Sequence, residues 1–348
     1  MTNIVFFKAF KDGFTVSATA LRLFGRDIQW YGVLIAFGFL LAVLFGGRMA
    51  YKWKMNLDHM IDVLIGGTVG GILGARAYYV IFHFDLYKDR LADVFKIWEG
   101  GLAIYGGLIG GLLAAYLVCR IRKVNYWNLL DLAAMSFLIG QGIGRWGNFA
   151  NQEAFGRNTT LPWGMWSQET ANYIDGHQAE FAARGIKAVA GTLADKAFVH
   201  PTFLYESLWC LISFGILYLI CRKWRRFNGQ LMLCYGVLYG AERFFVEGLR
   251  LDSLYLGGSH VRVSQLLSAL LVIGCAAALV LLLLRDKKNH RPVEGVDFFP
   301  EAAAKAEKSE KIKKAAPARN GADPVLLDTA PIEDDDPAPD GTTEEKED

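Results

Sequence analysis

Two arginines set the chemical question. Arg145 stands in the run GQGIGRWGNFANQEAFGR (residues 140–157), three positions before Asn148. Arg243 stands in YGAERFFVE (239–247), with Tyr239 and Glu247 four residues to either side. Spacings of three and four put side chains on one helical face, so each arginine belongs to a polar stripe at the end of an apolar segment. A guanidinium stays charged in a low-dielectric site and holds two oxygens of a phosphate at once. Two guanidiniums at one depth would therefore capture an anion, and a lipid phosphate is the nearest abundant one. Charged groups in apolar segments are costly and usually face a functional cavity. Gly140, Gly142, Gly144 and Gly147 would let backbone or ligand come close.

Two tyrosines join this set. Tyr31 opens the first apolar segment in WYG, and Tyr105 lies among glycines in GGLAIYGGLIGG (100–111). Each residue also has an ordinary explanation. Trp30 and Tyr31 suit an interfacial aromatic belt, Arg243 and Glu247 suit an intrahelical ion pair, Arg145 suits snorkelling, and Tyr105 suits packing. Glu242 has no evident chemical task and reads as structural or solvated. Convergence of two arginines, an asparagine and two tyrosines at one depth favours a site.

The elements that must hold them are membrane helices. The chain has 348 residues, 53% of them hydrophobic, and a mean hydropathy of +0.24. Seven apolar segments are expected to span, at about Trp30–Gly47, Met60–Phe84, Leu102–Cys119, Leu129–Trp146, Phe203–Cys221, Leu231–Gly248 and Gln265–Leu284. The second and third are rich in glycine, which suits close helix packing. Lysines and arginines follow spans one, three, five and seven, Arg225 among them, so the N-terminus is expected outside and the C-terminus in the cytosol. No cleaved signal peptide is expected. Residues 149–202 are expected to form a small extracytoplasmic cap with a helical stretch near 179–194. Residues 1–290 read as an all-α, seven-span domain and 291–348 as a disordered, charged cytosolic tail. The five cysteines lie in or beside apolar runs, with no CxxC pair, so neither a disulfide framework nor a zinc site is supported. No cofactor, metal or nucleic acid is expected.

The motifs GRWGNFANQEAFGR (144–157), WYG (30–32), GGLAIYGGLIGG (100–111), HPTFLYE (200–206) and YGAERFFVE (239–247) occur in order. Over about residues 28–284 the sequence resembles the bacterial phosphatidylglycerol–prolipoprotein diacylglyceryl transferases. The resemblance implies a multi-pass protein of the bacterial cytoplasmic (inner) membrane with an external active site. It further implies transfer of the diacylglyceryl group of phosphatidylglycerol to the lipobox cysteine of prolipoproteins, with release of glycerol phosphate. The residues it marks as catalytic are Tyr105, Arg145, Glu153, Arg243 and Glu247. Those it marks as substrate-binding are Tyr31, Arg145, Asn148, Gly156, Tyr239 and Arg243. Many members carry histidine where this chain has Tyr105, and others carry tyrosine. A phenol titrating near pH ~10 is a poor base at neutral pH. Tyr105 is therefore expected to orient by hydrogen bonding, with Glu153, Glu247 or the substrate phosphate as proton acceptor. A transporter or flippase of an anionic lipid is the rival class, disfavoured by the lack of an internal repeat. A noncatalytic membrane scaffold, a third class, would not need the arginine pair.

Overall fold

A computed structural model describes residues 2–10, 12–88, 90–251, 253, 255 and 262–289. Long helices form at each of the apolar segments: α1 (Trp30–Lys52), α2 (Leu57–Phe82), α3 (Ile104–Arg122), α4 (Tyr126–Asn151), α7 (Thr202–Lys223), α8 (Gln230–Leu249) and α9 (Val263–Asn289). Two short helices, α5 (Gln168–Gly176) and α6 (Gln178–Ala183), lie between α4 and α7. Asn56 and Asn125 start α2 and α4 by accepting backbone N–H groups of the first turn. Lys123 and Gln152 end α3 and α4 in the left-handed conformation.

Five of these helices, α1, α2, α3, α7 and α9, are long and apolar enough to cross a membrane. Helices α4 and α8 are long enough, at 26 and 20 residues, but their polar side chains lower their hydropathy. α4 carries Asp131, Arg145 and Asn148, and α8 carries Glu242, Arg243 and Glu247. α4 packs against α1, α7 and α8, and α8 also against α9, which buries Asp131, Glu242 and Glu247 between helices.

The glycines of α2 and α3 make the closest helix contact. A Cβ on Gly110 would press into the Gly70 carbonyl and sit 2.8 Å from the Gly74 Cα. No flexible side chain is there to yield. Gly110→Ala should therefore destabilise the fold by about 1–3 kcal/mol, the usual cost of overpacking. Gly215 in α7 faces open space, so Gly215→Ala should leave the melting temperature in detergent nearly unchanged. Equal melting of the two variants would refute the close contact.

The all-helical bundle carries strands that hydropathy did not reveal. β1 (Thr2–Phe7) pairs antiparallel with β2 (Phe14–Ser17) on one side and with β5 (Met165–Ser167) on the other. β3 (Thr19–Leu23) and β4 (Arg26–Gln29) form a hairpin whose turn holds Phe24 and Gly25 at φ of 48° and 76°. The β1–β5 pairing joins the N-terminus to the connection between α4 and α7. That connection has its own core, in which Val5 of β1 is buried with Phe155, Trp166, Ile174, Phe181 and Val199. The helix expected near 179–194 stops after Ala183, where Gly185 turns the backbone at φ 66°.

A second core packs Met49 of α1 and Trp53 just after it against Met135, Leu138, Leu217 and Leu231. Beside it lies an ion pair that the sequence did not announce. Arg225 donates to Asp131 at 2.9 and 3.1 Å, with the two side chains 1% and 0% exposed. Asp131 also accepts the backbone N–H groups of Gly229 and Met232 at 2.8 and 2.9 Å. The Arg225 guanidinium lies 4.1 Å from the centre of the Trp53 ring. Arg225, counted above among the cations that follow span five, is thus a buried group. Residues 291–348 of the expected tail lie outside the described residues.

Candidate active site

Arginines, carboxylates and a tyrosine from α4, α7 and α8 share one neighbourhood. The Arg145 Nη2 lies 2.6 Å from Glu206 Oε2, and the Arg243 Nη2 lies 2.8 Å from Glu247 Oε2. The carboxylates are 1% and 2% exposed, whereas the arginines keep 24% and 21% of their side chains accessible. Each acid therefore anchors the inner side of a guanidinium and leaves its outer side open. These contacts lack aligned hydrogen bonds at Glu206 Oε2 and Glu247 Oε2. Charge holds the pairs together, and N–H donors remain for another acceptor.

The charges of both Arg145 and Arg243 act on Tyr239 and on Glu242, and so does that of Glu206. The two stripes seen in sequence thus meet in space. Tyr239 stacks on Tyr235 with ring centres 5.6 Å apart, and the Tyr235 hydroxyl accepts a 2.8 Å hydrogen bond from Gln141 of α4. Glu206 had no role in the sequence reading, although it closes the motif HPTFLYE. The available signal was a lone acid in the apolar first turns of α7. Glu242, read above as structural or solvated, is 6% exposed, which excludes the solvated alternative.

A groove of about 340 Å³ runs between α1 and α4 to Arg145. Tyr31, Arg145 and Asn148 line its polar part, and Ile35, Phe39 and Ala42 line its apolar part. Glycine shapes this contact. A Cβ on Gly147 would lie 2.6 Å from the Tyr31 ring, and one on Gly38 would lie 3.2 Å from the Gly140 carbonyl oxygen. A charged end at Arg145, continued along Ile35, Phe39, Ala42 and Phe137 past Ser136 and Gln141, suits an amphiphile with a charged head.

The segment after α4 turns sharply. Gln152 and Ala154 adopt φ of 55° and 56°, uncommon for residues with a Cβ, and the Thr202 hydroxyl donates to the Ala154 carbonyl. Glu153 is exposed and its Oε1 accepts from Asn148 at 2.9 Å and from Asn151 at 3.4 Å. Asn148 therefore orients Glu153 at the C-terminal end of α4. Gly156 is buried where three segments of the chain meet. It donates to the His200 carbonyl at 2.9 Å, bridges to Arg250, and a Cβ there would lie 2.8 Å from the His200 Cβ. Burial pushes the His200 imidazole below the usual histidine range, and its Nδ1 lies 3.0 Å from the Tyr205 hydroxyl. His200 is thus a neutral, packed side chain at neutral pH rather than a third cation.

The structure does not bring Tyr105 into this network. It stands half-exposed in the first turn of α3, with no hydrogen bond or ring contact among the described residues.

Comparison with known proteins gives a consistent picture. The sequence profile of the prolipoprotein diacylglyceryl transferase family matches residues 18–281. A phosphatidylglycerol–prolipoprotein diacylglyceryl transferase of Listeria welshimeri is 40% identical over 287 residues, covering 82% of this chain and 96% of its own length. Proteins of the same name from Finegoldia magna and Clostridioides difficile are 40% and 39% identical over 270 residues. Each of those alignments covers 78% of this chain, and 96% and 97% of the relative.

Proposed function

The chain belongs to the prolipoprotein diacylglyceryl transferase family, and we propose that Arg145 and Arg243 are the phosphate clamp of that reaction. The protein is a multi-pass membrane enzyme that transfers the diacylglyceryl group of phosphatidylglycerol to prolipoprotein. The acceptor is the lipobox cysteine thiol. Its sulfur attacks the glycerol carbon next to the phosphate, the C–S bond forms, and the C–O bond breaks with its electron pair leaving on glycerol phosphate. Charge grows on the leaving phosphate as that bond breaks, so donors fixed around it lower the barrier. One observation carries this reading. Two arginines, each pinned from behind by a buried carboxylate, act on the same neighbours while keeping their outer faces open.

Tyr31 and Asn148 sit with Arg145 in the amphipathic groove, which suits the lipid headgroup and the start of its chains. Tyr239 flanks both arginines. Gly156 supports the site by holding the end of α4 to the start of α7 and the end of α8. A thiol titrates near pH ~8.5 when free and reacts as the thiolate. Glu153, exposed at the mouth and oriented by Asn148, is suited to accept its proton, with Glu247 or the departing phosphate as alternatives. Tyr105 is assigned an orienting role toward the substrates.

The fine topology belongs to the same proposal. α4 and α8 complete seven spans, because their polar side chains are sheltered by neighbouring helices. The basic residues at the C-terminal ends of α1, α3, α7 and α9 favour a cytosolic C-terminus, with the arginine site and the 149–202 cap outside. The setting is the bacterial cytoplasmic membrane. Purified protein given acyl-labelled phosphatidylglycerol and a lipobox peptide should label that peptide but not its Cys→Ser version. Label that stays in lipid would refute the assignment. The 1–290 domain should suffice, so truncation after His290 should leave transfer per molecule near that of the full chain. A loss of turnover at equal protein level would give the tail a catalytic part.

A further inference from the structure

Charge around the arginines is balanced before any substrate arrives. Glu206 matches Arg145 and Glu247 matches Arg243, each at ion-pair distance and almost fully buried. Glu242 is a further carboxyl in the same place. It is 6% exposed, its Oε1 has no hydrogen-bond partner, and it makes no ion pair among the described residues. The groups around it come from each helix packed there. α4 supplies Arg145, α7 supplies Glu206 and Cys210, and α8 itself supplies Tyr235, Tyr239 and Arg243. α9 meets α8 at Gly236 and Gly240 through Cys275, Val272 and Ser268, bringing no charged side chain to that contact.

A phosphate entering this site adds negative charge. Three ionised carboxylates and a phosphodiester would then outnumber two guanidiniums, in surroundings where like charges repel strongly. The imbalance deepens when the phosphate leaves as a monoester carrying close to two charges. Glu206 and Glu247 each have a guanidinium at contact distance. Glu242 has none at contact distance.

We infer that Glu242 is the charge-balancing group of the site and carries a proton whenever the arginines hold a phosphate. This deepens the transferase reading and rests on it. Binding of phosphatidylglycerol therefore draws a proton from solution wherever the free group is ionised, on the alkaline side, and release of glycerol phosphate returns it. Once protonated, Glu242 also gains an O–H donor, whereas the ionised group only accepts. A proton taken up on binding makes binding weaken as pH rises.

Calorimetric titration of the full chain with short-chain phosphatidylglycerol, in buffers of different ionisation enthalpy, tests this directly. In alkaline buffer about one proton should be taken up per lipid, and affinity there should fall about tenfold per pH unit. Glu242→Gln is permanently neutral and close in shape. It should abolish that uptake, flatten the pH dependence, and bind at alkaline pH at least as tightly as wild type. No proton uptake by wild type would overturn the inference, whatever the variant does. Unchanged uptake in a folded Glu242→Gln protein would overturn it as well. If wild type binds and transfers lipid without taking up a proton, the transferase reading stands and Glu242 loses this role. A protein that neither binds phosphatidylglycerol nor modifies a lipobox peptide would overturn both.

Discussion

Arg145→Lys and Arg243→Lys should each lower turnover by roughly 10²–10³-fold, the scale of losing one transition-state donor. Both variants keep the charge, so a purely electrostatic anchor would tolerate them. A clamp would not. Each arginine has two tasks at opposite edges of one plane: an inner contact to Glu206 or Glu247 and an outer face open to the groove or its neighbour. A lysine ammonium is a point charge on a flexible stem and cannot span both. It would settle against the buried carboxylate and withdraw from the phosphate. The loss should appear in kcat more than in KM, because charge on the phosphate is greatest as the C–O bond breaks. Glu247→Gln and Glu206→Gln should also reduce turnover, by releasing the inner edge of each fork. Turnover must be expressed per detergent-stable molecule, which separates a catalytic loss from poor folding. Wild-type turnover in both lysine variants would end the clamp.

At the other end of α4, Asp131→Ala should cost about 3–5 kcal/mol of stability, the usual result of leaving one member of a buried ion pair alone. Asp131 holds the Arg225 guanidinium and two backbone N–H groups at once. Its removal strands a charge beneath Trp53 and leaves Gly229 and Met232 without their acceptor. Replacing Asp131 and Arg225 together should recover part of the loss, because no lone charge then remains buried. Arg226 is exposed, so Arg226→Ala should stay near wild type. Thermal unfolding in detergent decides: an Asp131→Ala protein that melts with the Arg226→Ala control would contradict the buried pair. Transfer per folded molecule should change little, since the pair lies apart from the arginine site in the same long helix.

The bundle was legible because hydropathy is read along the chain, and each expected apolar segment became a helix. Arg145 and Arg243 were legible for the converse reason, as charges that an apolar helix would not keep without use. Their partners were harder. Glu247 sits one turn from Arg243, where helical spacing points to it. Glu206 meets Arg145 from another helix, and no local spacing rule connects them. Arg225 misled for the same reason. In sequence it is one of several cations in a short loop, and only the fold places it on Asp131 beneath Trp53. A labelling probe at position 225 would thus report burial rather than sidedness, and the exposed Arg226 is the better site. The N-terminal strands are short, and β1 finds β5 far along the chain, so neither hydropathy nor periodicity gave them away. Gly156 was marked by its motif, but the reason for a glycine there is the backbone crossing at His200 and Leu249.

In the proposed reaction sulfur displaces phosphate from the glycerol carbon while the paired arginines take up the charge. Phosphatidylglycerol labelled differently in its acyl chains and in its headgroup glycerol tests it most directly, with both halves followed during a single incubation with lipobox peptide. Acyl label should appear on the peptide cysteine through a bond that resists hydroxylamine, and headgroup label should be released as glycerol phosphate in equal amount. Hydroxylamine-sensitive label, which marks an acyl group moved to sulfur, or a peptide modified without release of glycerol phosphate, would contradict it.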